Sequence, residues 1–93
     1  MDGKELQQFV YEKRNLFWFI PDEKLSEIDN DAIVETILNY GDMASFIKLS
    51  EIMGIKNVAE IFYKSINSGE RKRNNYQELT IDYFTKVFDR YAP

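Results

Sequence analysis

The sequence contains no cysteine and no histidine among its 93 residues. Without cysteine there is no disulfide framework, no thiolate nucleophile and no cysteine metal site. Without histidine the chain lacks the commonest general base, the commonest metal ligand and the side chain that titrates near neutral pH. The composition therefore predicts a protein that is not an enzyme, has no catalytic residues and uses no metal or other cofactor.

Other motifs of catalysis and ligand binding are missing as well. The five serines have no histidine or cysteine to activate them. No Gly-x-Gly-x-x-Gly or Gly-Lys-Ser/Thr run occurs, so there is no phosphate-binding loop of either kind. Six carboxylates lie between Asp22 and Glu35, but no glycine provides the sharp turn of a calcium loop. We interpret these acids as a solvated face and as favourable charges at helix N-termini.

Long apolar runs are absent too. The longest run, Leu16–Ile20, is far shorter than the roughly 20 residues needed to cross a bilayer. The first five residues are polar and include two acids, which is untypical of a secretory signal. The sequence therefore predicts a cytoplasmic protein with no membrane partner.

The residues that are present favour a folded helical protein. Hydrophobic residues make up 44% of the chain and aromatic residues 15%, which is enough for one modest core. Apolar residues recur at helical spacing between glycine and proline breaks. We therefore predict one domain over residues 1–93, with an all-α fold that is a compact bundle of about five short helices. The predicted helices are 4–14, 30–40, 43–53, 57–66 and 80–91.

Capping residues define the boundaries of these helices. We predict Asp29 and Asp42 as N-caps, Gly41 as a left-handed C-cap, and Gly54 as the end of the third helix. Four connecting segments complete the chain. They are an extended or one-turn segment at 16–20, a turn or single helical turn at 21–25, a short turn at 55–57 and a polar linker at 70–76. The predicted buried faces comprise Leu6, Phe9, Val10, Ile33, Val34, Ile37, Leu38, Tyr40, Met43, Phe46, Ile47, Leu49, Ile52, Met53, Val58, Ile61, Phe62, Ile66, Phe84, Val87, Phe88 and Tyr91.

Surplus apolar surface suggests a protein-interaction module. Leu16–Ile20 holds more large apolar side chains than one face of a short segment can bury, so either both faces are buried or some aromatics await a partner. Aromatic residues are typical of interface hot spots. The partner would be another protein or a second copy of the chain. The candidate interface residues are Phe17, Trp18, Phe19, Tyr83 and Tyr91.

A second hypothesis is a small helix-turn-helix-like DNA-binding regulator that uses the helix at 57–66 and the basic residues 71–73. The net charge of −4 opposes it, but residues 63–93 hold six bases against four acids. Phosphate contacts dominate nucleic-acid affinity, so this basic end is the segment that would bind. The candidate contacts are Asn57, Lys64, Arg71, Lys72 and Arg73.

Residues 16–66 carry several short motifs that occur together in one family. The motifs are Leu16-Phe17-Trp18, Pro21-Asp22-x-Lys24-Leu25, Ile33-Val34-Glu35-x-Ile37-Leu38-x-Tyr40-Gly41-Asp42, and the single residues Leu49, Gly54 and Ile61. The chain thereby resembles a family of small all-helical bacterial proteins regarded as antitoxin partners of abortive-infection-type nucleotidyltransferase toxins. Family members usually carry arginine where this chain has Thr36. The resemblance implies an antitoxin-like role with a nucleotidyltransferase-type toxin as partner.

Overall fold

Helices account for 81% of residues 3–92, the part of the chain that the computed structural model describes. The α-helices are α1 (Gly3–Glu12), α2 (Asn30–Tyr40), α3 (Met43–Met53), α4 (Ile55–Asn67), α5 (Glu70–Arg73) and α6 (Glu78–Tyr91). Two 3-10 helices, Arg14–Phe17 and Asp22–Glu27, lie between α1 and α2. Five of the α-helices have ten residues or more. The predicted all-α fold is confirmed.

Helix α4 lies at the centre of the bundle and packs against α2, α3, α5 and α6. Its residues Val58 and Phe62 are completely buried. The Phe62 ring lies 5.3 Å from the rings of both Tyr76 and Phe88, at the typical spacing of packed aromatic pairs. Phe88 in turn contacts Phe46 of α3 at 5.9 Å, so an aromatic cluster joins α3, α4 and α6.

Asp29 and Asp42 are N-caps, as predicted. The Asp29 carboxylate accepts a hydrogen bond from the N–H of Ala32 at 2.9 Å, and Asp42 accepts one from the N–H of Ser45 at 2.8 Å. Each bond satisfies a backbone donor that a helix start leaves without a partner.

The predicted left-handed conformation of Gly41 is wrong, because its φ is −79° and its ψ is 163°. Helix α3 starts immediately after α2, and an extended residue between the two helices makes that sharp turn. A Cβ atom at position 41 would lie only 2.7 Å from the carbonyl oxygen of Ile37. Glycine therefore fits here because the backbone approaches closely, not because φ is positive.

Gly54 ends α3 as predicted and also begins α4. Its φ of 86° lies in a region that side chains rarely allow, and it reverses the chain in a single residue. Helix α4 therefore starts at Ile55, and the predicted turn over residues 55–57 does not exist. Asn57 lies in the first turn of α4, and its side-chain amide donates to the carbonyl oxygen of Met53 at 2.8 Å.

The segment 70–76 is not the open polar linker that its composition predicts. Residues 70–73 form the single turn of α5, and Tyr76 is buried in the core. The side chain of Asn39 binds the backbone on both sides of Tyr76. Its amide nitrogen donates to the carbonyl oxygen of Asn75 at 2.9 Å, and its amide oxygen accepts from the N–H of Gln77 at 3.1 Å.

Several residues of the predicted buried faces lie at the surface. Tyr40, Met43, Ile47 and Tyr91 are exposed, although Phe46, Leu49, Ile52 and Met53 of the same α3 stripe are buried. Helix α3 packs on α1, α2 and α4, and α6 packs on α2 and α4. The sides of α3 and α6 that face each other are therefore packed against other helices only at the bottom of the space between them, and their outer parts are open to solvent.

Helix α1 ends two residues earlier than predicted. The guanidinium of Arg14 donates to the carbonyl oxygen of Tyr11 at 2.9 Å and stacks 4.4 Å from the Tyr11 ring centre. This contact satisfies one of the carbonyls that a helix end leaves free. The first 3-10 helix then carries Phe17 into the core.

Candidate functional site

The predicted interface residues at 17–19 have different environments. Phe17 is completely buried, so its ring belongs to the core and is not available to a partner. Trp18 is 79% exposed and Phe19 is about half exposed. The two exposed rings contact each other edge to face at 5.7 Å. Only Trp18 and Phe19 of this segment therefore present aromatic surface to solvent.

Tyr83 and Tyr91 are exposed on α6. Tyr83 packs edge to face on the buried Phe84 at 5.0 Å, which limits the motion of its ring. The guanidinium of Arg90 lies 5.6 Å from the ring centre of Tyr91. Both tyrosines line a cavity between α3 and α6.

We call this cavity the α3–α6 groove, because α3 and α6 form its two walls. Its volume is about 550 Å³, within the usual range for ligand-binding clefts. Phe46 forms part of the base, where its ring lies 4.9 Å from that of Phe84. Residue Ile55 at the start of α4 also lines the groove. The walls consist of Met43, Ile47, Ser50 and Glu51 from α3 and Tyr83, Val87 and Tyr91 from α6.

A smaller cavity of about 250 Å³ shares Met43, Phe46 and Tyr83 with the groove. Leu79, which is 82% exposed, and Asp42 also line it. The exposed apolar surface therefore continues from the α3–α6 groove to the junction of α2 and α3. Sequence analysis did not select Met43, Ile47 or Leu79 as candidate interface residues.

The spacing of apolar residues along α3 and α6 contains a signal that could have identified these missed residues. In α6, Leu79, Tyr83, Val87 and Tyr91 recur every four residues on one side of the helix. In α3, the apolar stripe is wider than one helix face, and one face is all that a helix in a small bundle buries. The excess width of the stripe indicates that part of it is exposed.

Polar groups in the α3–α6 groove are few. Glu51 is the only charged residue that lines the larger cavity, and its carboxylate makes none of the ion pairs found among the described residues. The hydroxyl oxygen of Ser50 is buried and has no hydrogen-bond partner. The groove is therefore an apolar surface with one acidic group on its α3 wall.

The candidate nucleic-acid contacts differ in exposure and in the partners of their side chains. Lys64 is exposed at the last turn of α4, and Arg73 is half-buried. The ammonium of Lys72 lies 3.6 Å from the carboxylate of Asp31. Tyr76, the aromatic residue nearest to this basic segment in the sequence, is buried. Asn57 is exposed, but its side-chain amide is bound to the backbone of α3.

A half-buried acid lies where α2 meets the loop before α6. Partial burial raises the pKa of Glu35, a hydrogen bond with the Asn75 side chain opposes that rise, and the nearby charges of Asp29 and Asp31 add to it. Burial also raises the pKa of the Tyr76 phenol, and the charges of Glu35 and Asp31 contribute. The hydroxyl of Tyr76 has no hydrogen-bond partner.

Neither a metal-ligand cluster nor a membrane-spanning helix occurs among residues 3–92. No three acidic side chains in this range lie close enough together to hold a metal ion. No helix within the same range is both long and apolar enough to span a bilayer. Comparison of the chain with protein-family models, with curated protein sequences and with solved structures finds no significant match.

Proposed function

We propose that this protein is a non-catalytic helical interaction module that docks another protein in the α3–α6 groove. The observation that carries the proposal is an exposed apolar surface in which Met43, Ile47, Tyr83 and Tyr91 line a cavity of about 550 Å³. The exposed Leu79 extends this surface into the adjoining cavity of about 250 Å³. Continuous apolar patches of this kind on small proteins mark interaction sites, whereas isolated exposed apolar residues are ordinary. Tyrosine is also among the residues enriched at binding hot spots.

The role that we propose for this docking is antitoxin-like. Support comes from the resemblance of residues 16–66 to the family of antitoxin partners, a range that includes the whole α3 wall of the groove. An antitoxin that neutralises a toxin by binding needs a stable interface and no catalytic group. The proposed partner is therefore a nucleotidyltransferase-type toxin.

The alternative function, DNA binding through α4 and Arg71–Arg73, has less support. Helix α4 packs against four other helices, so little of its surface can enter a DNA groove. The pairing of Lys72 with Asp31 lowers the charge available for phosphate. DNA binding would show itself by an affinity that falls steeply with salt, with a slope near one log unit for each phosphate contact.

The test is an affinity pull-down of the tagged protein from its native host, with and without nuclease. We expect one stoichiometric protein partner that survives nuclease and is lost from the Ile47→Asp variant. A nucleotidyltransferase in that band supports the antitoxin role, and a partner of another class contradicts that role alone. Recovery that disappears with nuclease contradicts the interaction module and favours the DNA-binding alternative.

A further inference from the structure

We infer that the α3–α6 groove receives an amphipathic α-helix of the partner and that this helix carries a lysine or arginine opposite Glu51. The inference rests on the proposed function, since it specifies the partner of the same groove. It adds two statements that can fail independently of docking itself. The first concerns the backbone conformation of the docked segment, and the second concerns its charge.

The length and spacing of the walls fit a helix. On α6, Leu79 of the adjoining smaller cavity continues the row of wall residues Tyr83, Val87 and Tyr91, and the four residues span about 18 Å at 1.5 Å per residue. Met43, Ile47 and Glu51 recur every four residues on α3 and form a row about 12 Å long. Two such rows flank a groove that accepts the ridge of a third helix. A docked helix of about three turns would place apolar residues at i, i+3 or i+4, and i+7 along it.

The chemistry of the walls disfavours an extended peptide. A docked strand needs N–H and C=O partners from an exposed sheet edge, because buried backbone groups must be paired. Both walls of the groove are helices, whose backbone groups bond within the helix. Ser50 and Glu51 are the only side chains of the α3 wall that carry a polar oxygen or nitrogen. A helix satisfies its own backbone and therefore fits these walls at lower cost.

The charge of the groove sets the charge of its occupant. A docked apolar helix would cover Glu51, and covering an unpaired carboxylate is unfavourable unless a cation accompanies it. The two cations of α6 have other contacts, because Lys86 lies 3.2 Å from Asp82 and Arg90 stacks on Tyr91. A second copy of this chain would bring the same acidic wall and a net charge of −4. These charges favour a basic partner helix over self-association.

The experiment selects helices from a displayed library of 16-residue amphipathic sequences without tryptophan, using the full-length protein as bait. We expect the selected helices to share an apolar i, i+4, i+7 row and a lysine or arginine beside it. A synthetic peptide of the selected sequence is then titrated against the wild-type protein and its variants. We expect Ile47→Asp to weaken binding at least tenfold and Glu51→Lys to weaken it about fivefold.

Charge exchange in the peptide identifies the ion pair. Replacing the selected lysine or arginine by glutamate should restore affinity for the Glu51→Lys protein and weaken affinity for the wild type. Trp18, the only tryptophan of the chain, provides an independent signal. Its fluorescence should stay that of an exposed indole when the peptide binds, because Trp18 does not line the groove. Circular dichroism of each variant checks that the fold is retained.

The possible failures of the inference and of the proposed function are distinguishable. If the selected helices lack a basic residue, or if the Glu51→Lys protein binds the peptide with unchanged affinity, the inferred basic charge of the partner helix is wrong. Docking of a helix in the groove is not contradicted by either result. A library that yields no binder contradicts the inference that the docked segment is a helix. Self-association in sedimentation that Ile47→Asp abolishes assigns the groove to a second copy and overturns the inference. Binding that Ile47→Asp does not affect, with a change in Trp18 fluorescence, contradicts the groove itself and therefore the proposed function.

Discussion

Phe17 and Trp18 are neighbours in the chain and have opposite environments. The 3-10 helix Arg14–Phe17 turns about 120° per residue, so adjacent side chains at its end point in different directions. Phe17 is completely buried, whereas Trp18 is 79% exposed. The fold therefore depends on the first ring, and the second ring is available for contacts outside the chain.

The first prediction compares alanine substitutions at these two positions. Phe17→Ala leaves a cavity in the core and should lower the free energy of unfolding by about 3–5 kcal/mol. Trp18→Ala removes an exposed ring and should change it by no more than about 0.5 kcal/mol. Urea denaturation followed by circular dichroism measures both values. Equal losses at the two positions would show that Trp18 is packed in the core as well.

Glu35 makes the stability of the fold depend on pH. Its pKa is raised in the folded state, so the protonated form is favoured there and the ionised form is disfavoured. Its contribution to stability is fully present below the unfolded value of 4.5 and is lost as pH rises through the folded value. Asp42 has the opposite sign, because hydrogen bonds from the hydroxyl and the N–H of Ser45 lower its pKa. Its contribution is present above 3.8 and is lost at lower pH.

The second prediction follows from this titration of Glu35. Glu35→Gln keeps the size of the side chain and a hydrogen-bonding partner for Asn75, but it cannot ionise. We expect the variant to be more stable than the wild type at pH 7 and close to it at pH 3.5, below the unfolded pKa. Chemical denaturation at the two pH values measures the difference. A variant that is less stable at pH 7 would show that the charged carboxylate stabilises the fold.

At the scale of the helices, Gly54 determines how α3 meets α4. Its positive φ lets one residue serve as the C-cap of α3 and the N-cap of α4. Its N–H donates to the carbonyl oxygen of Ser50 at 2.8 Å, and its carbonyl accepts from the N–H of Val58 at 3.1 Å. No side chain caps the start of α4, so the change of chain direction between α3 and α4 depends on the backbone conformation of Gly54.

The third prediction is the cost of a side chain at this junction. Gly54→Ala should lower the free energy of unfolding by about 1–3 kcal/mol, because the required φ is strained for any residue with a Cβ atom. Gly3→Ala is the matched control, since position 3 is helical and has open space for a Cβ atom. The control should be neutral or slightly stabilising. Thermal denaturation of both variants provides the comparison, and similar melting temperatures would contradict the role of the positive φ.

Helix starts were predictable from the sequence where a local interaction defines them. Asp29 and Asp42 bind backbone N–H groups three residues ahead, and short spacing of this kind is visible in the chain. The turn of α5 and the burial of Tyr76 were not predictable in the same way. They depend on Asn39, whose bonds to residues 75 and 77 connect positions 36 and 38 residues apart.

At the scale of the whole molecule, the packing of the helices decides which apolar residues remain exposed. Periodicity identifies an apolar stripe on α3 but does not say which neighbours cover it. Phe46 and Leu49 face other helices, whereas Met43 and Ile47 face the open space beside α6. Tyr83 and Tyr91, selected from the sequence as candidate interface residues, line the α3–α6 groove, whereas Met43 and Ile47 of its α3 wall were not selected. Tertiary contacts, which spacing alone does not define, account for the difference.

The fourth prediction concerns the two aromatic or apolar surfaces that remain exposed. The surface around Trp18 and the α3–α6 groove could each receive a partner, and they share no residues. Ile47→Asp and Trp18→Asp each replace one exposed apolar side chain by the same acid, so they form a matched pair. Both sites are at the surface, and each substitution should leave the fold intact.

The most direct test of docking in the groove is the affinity of the purified partner for the wild-type protein, Ile47→Asp and Trp18→Asp, measured by calorimetric titration. We expect Ile47→Asp to weaken binding by at least about 30-fold, the size of a hot-spot substitution. We expect Trp18→Asp to bind like the wild type. The opposite pattern, with binding lost in Trp18→Asp and kept in Ile47→Asp, would contradict the α3–α6 groove as the docking surface and assign that role to Trp18 and Phe19.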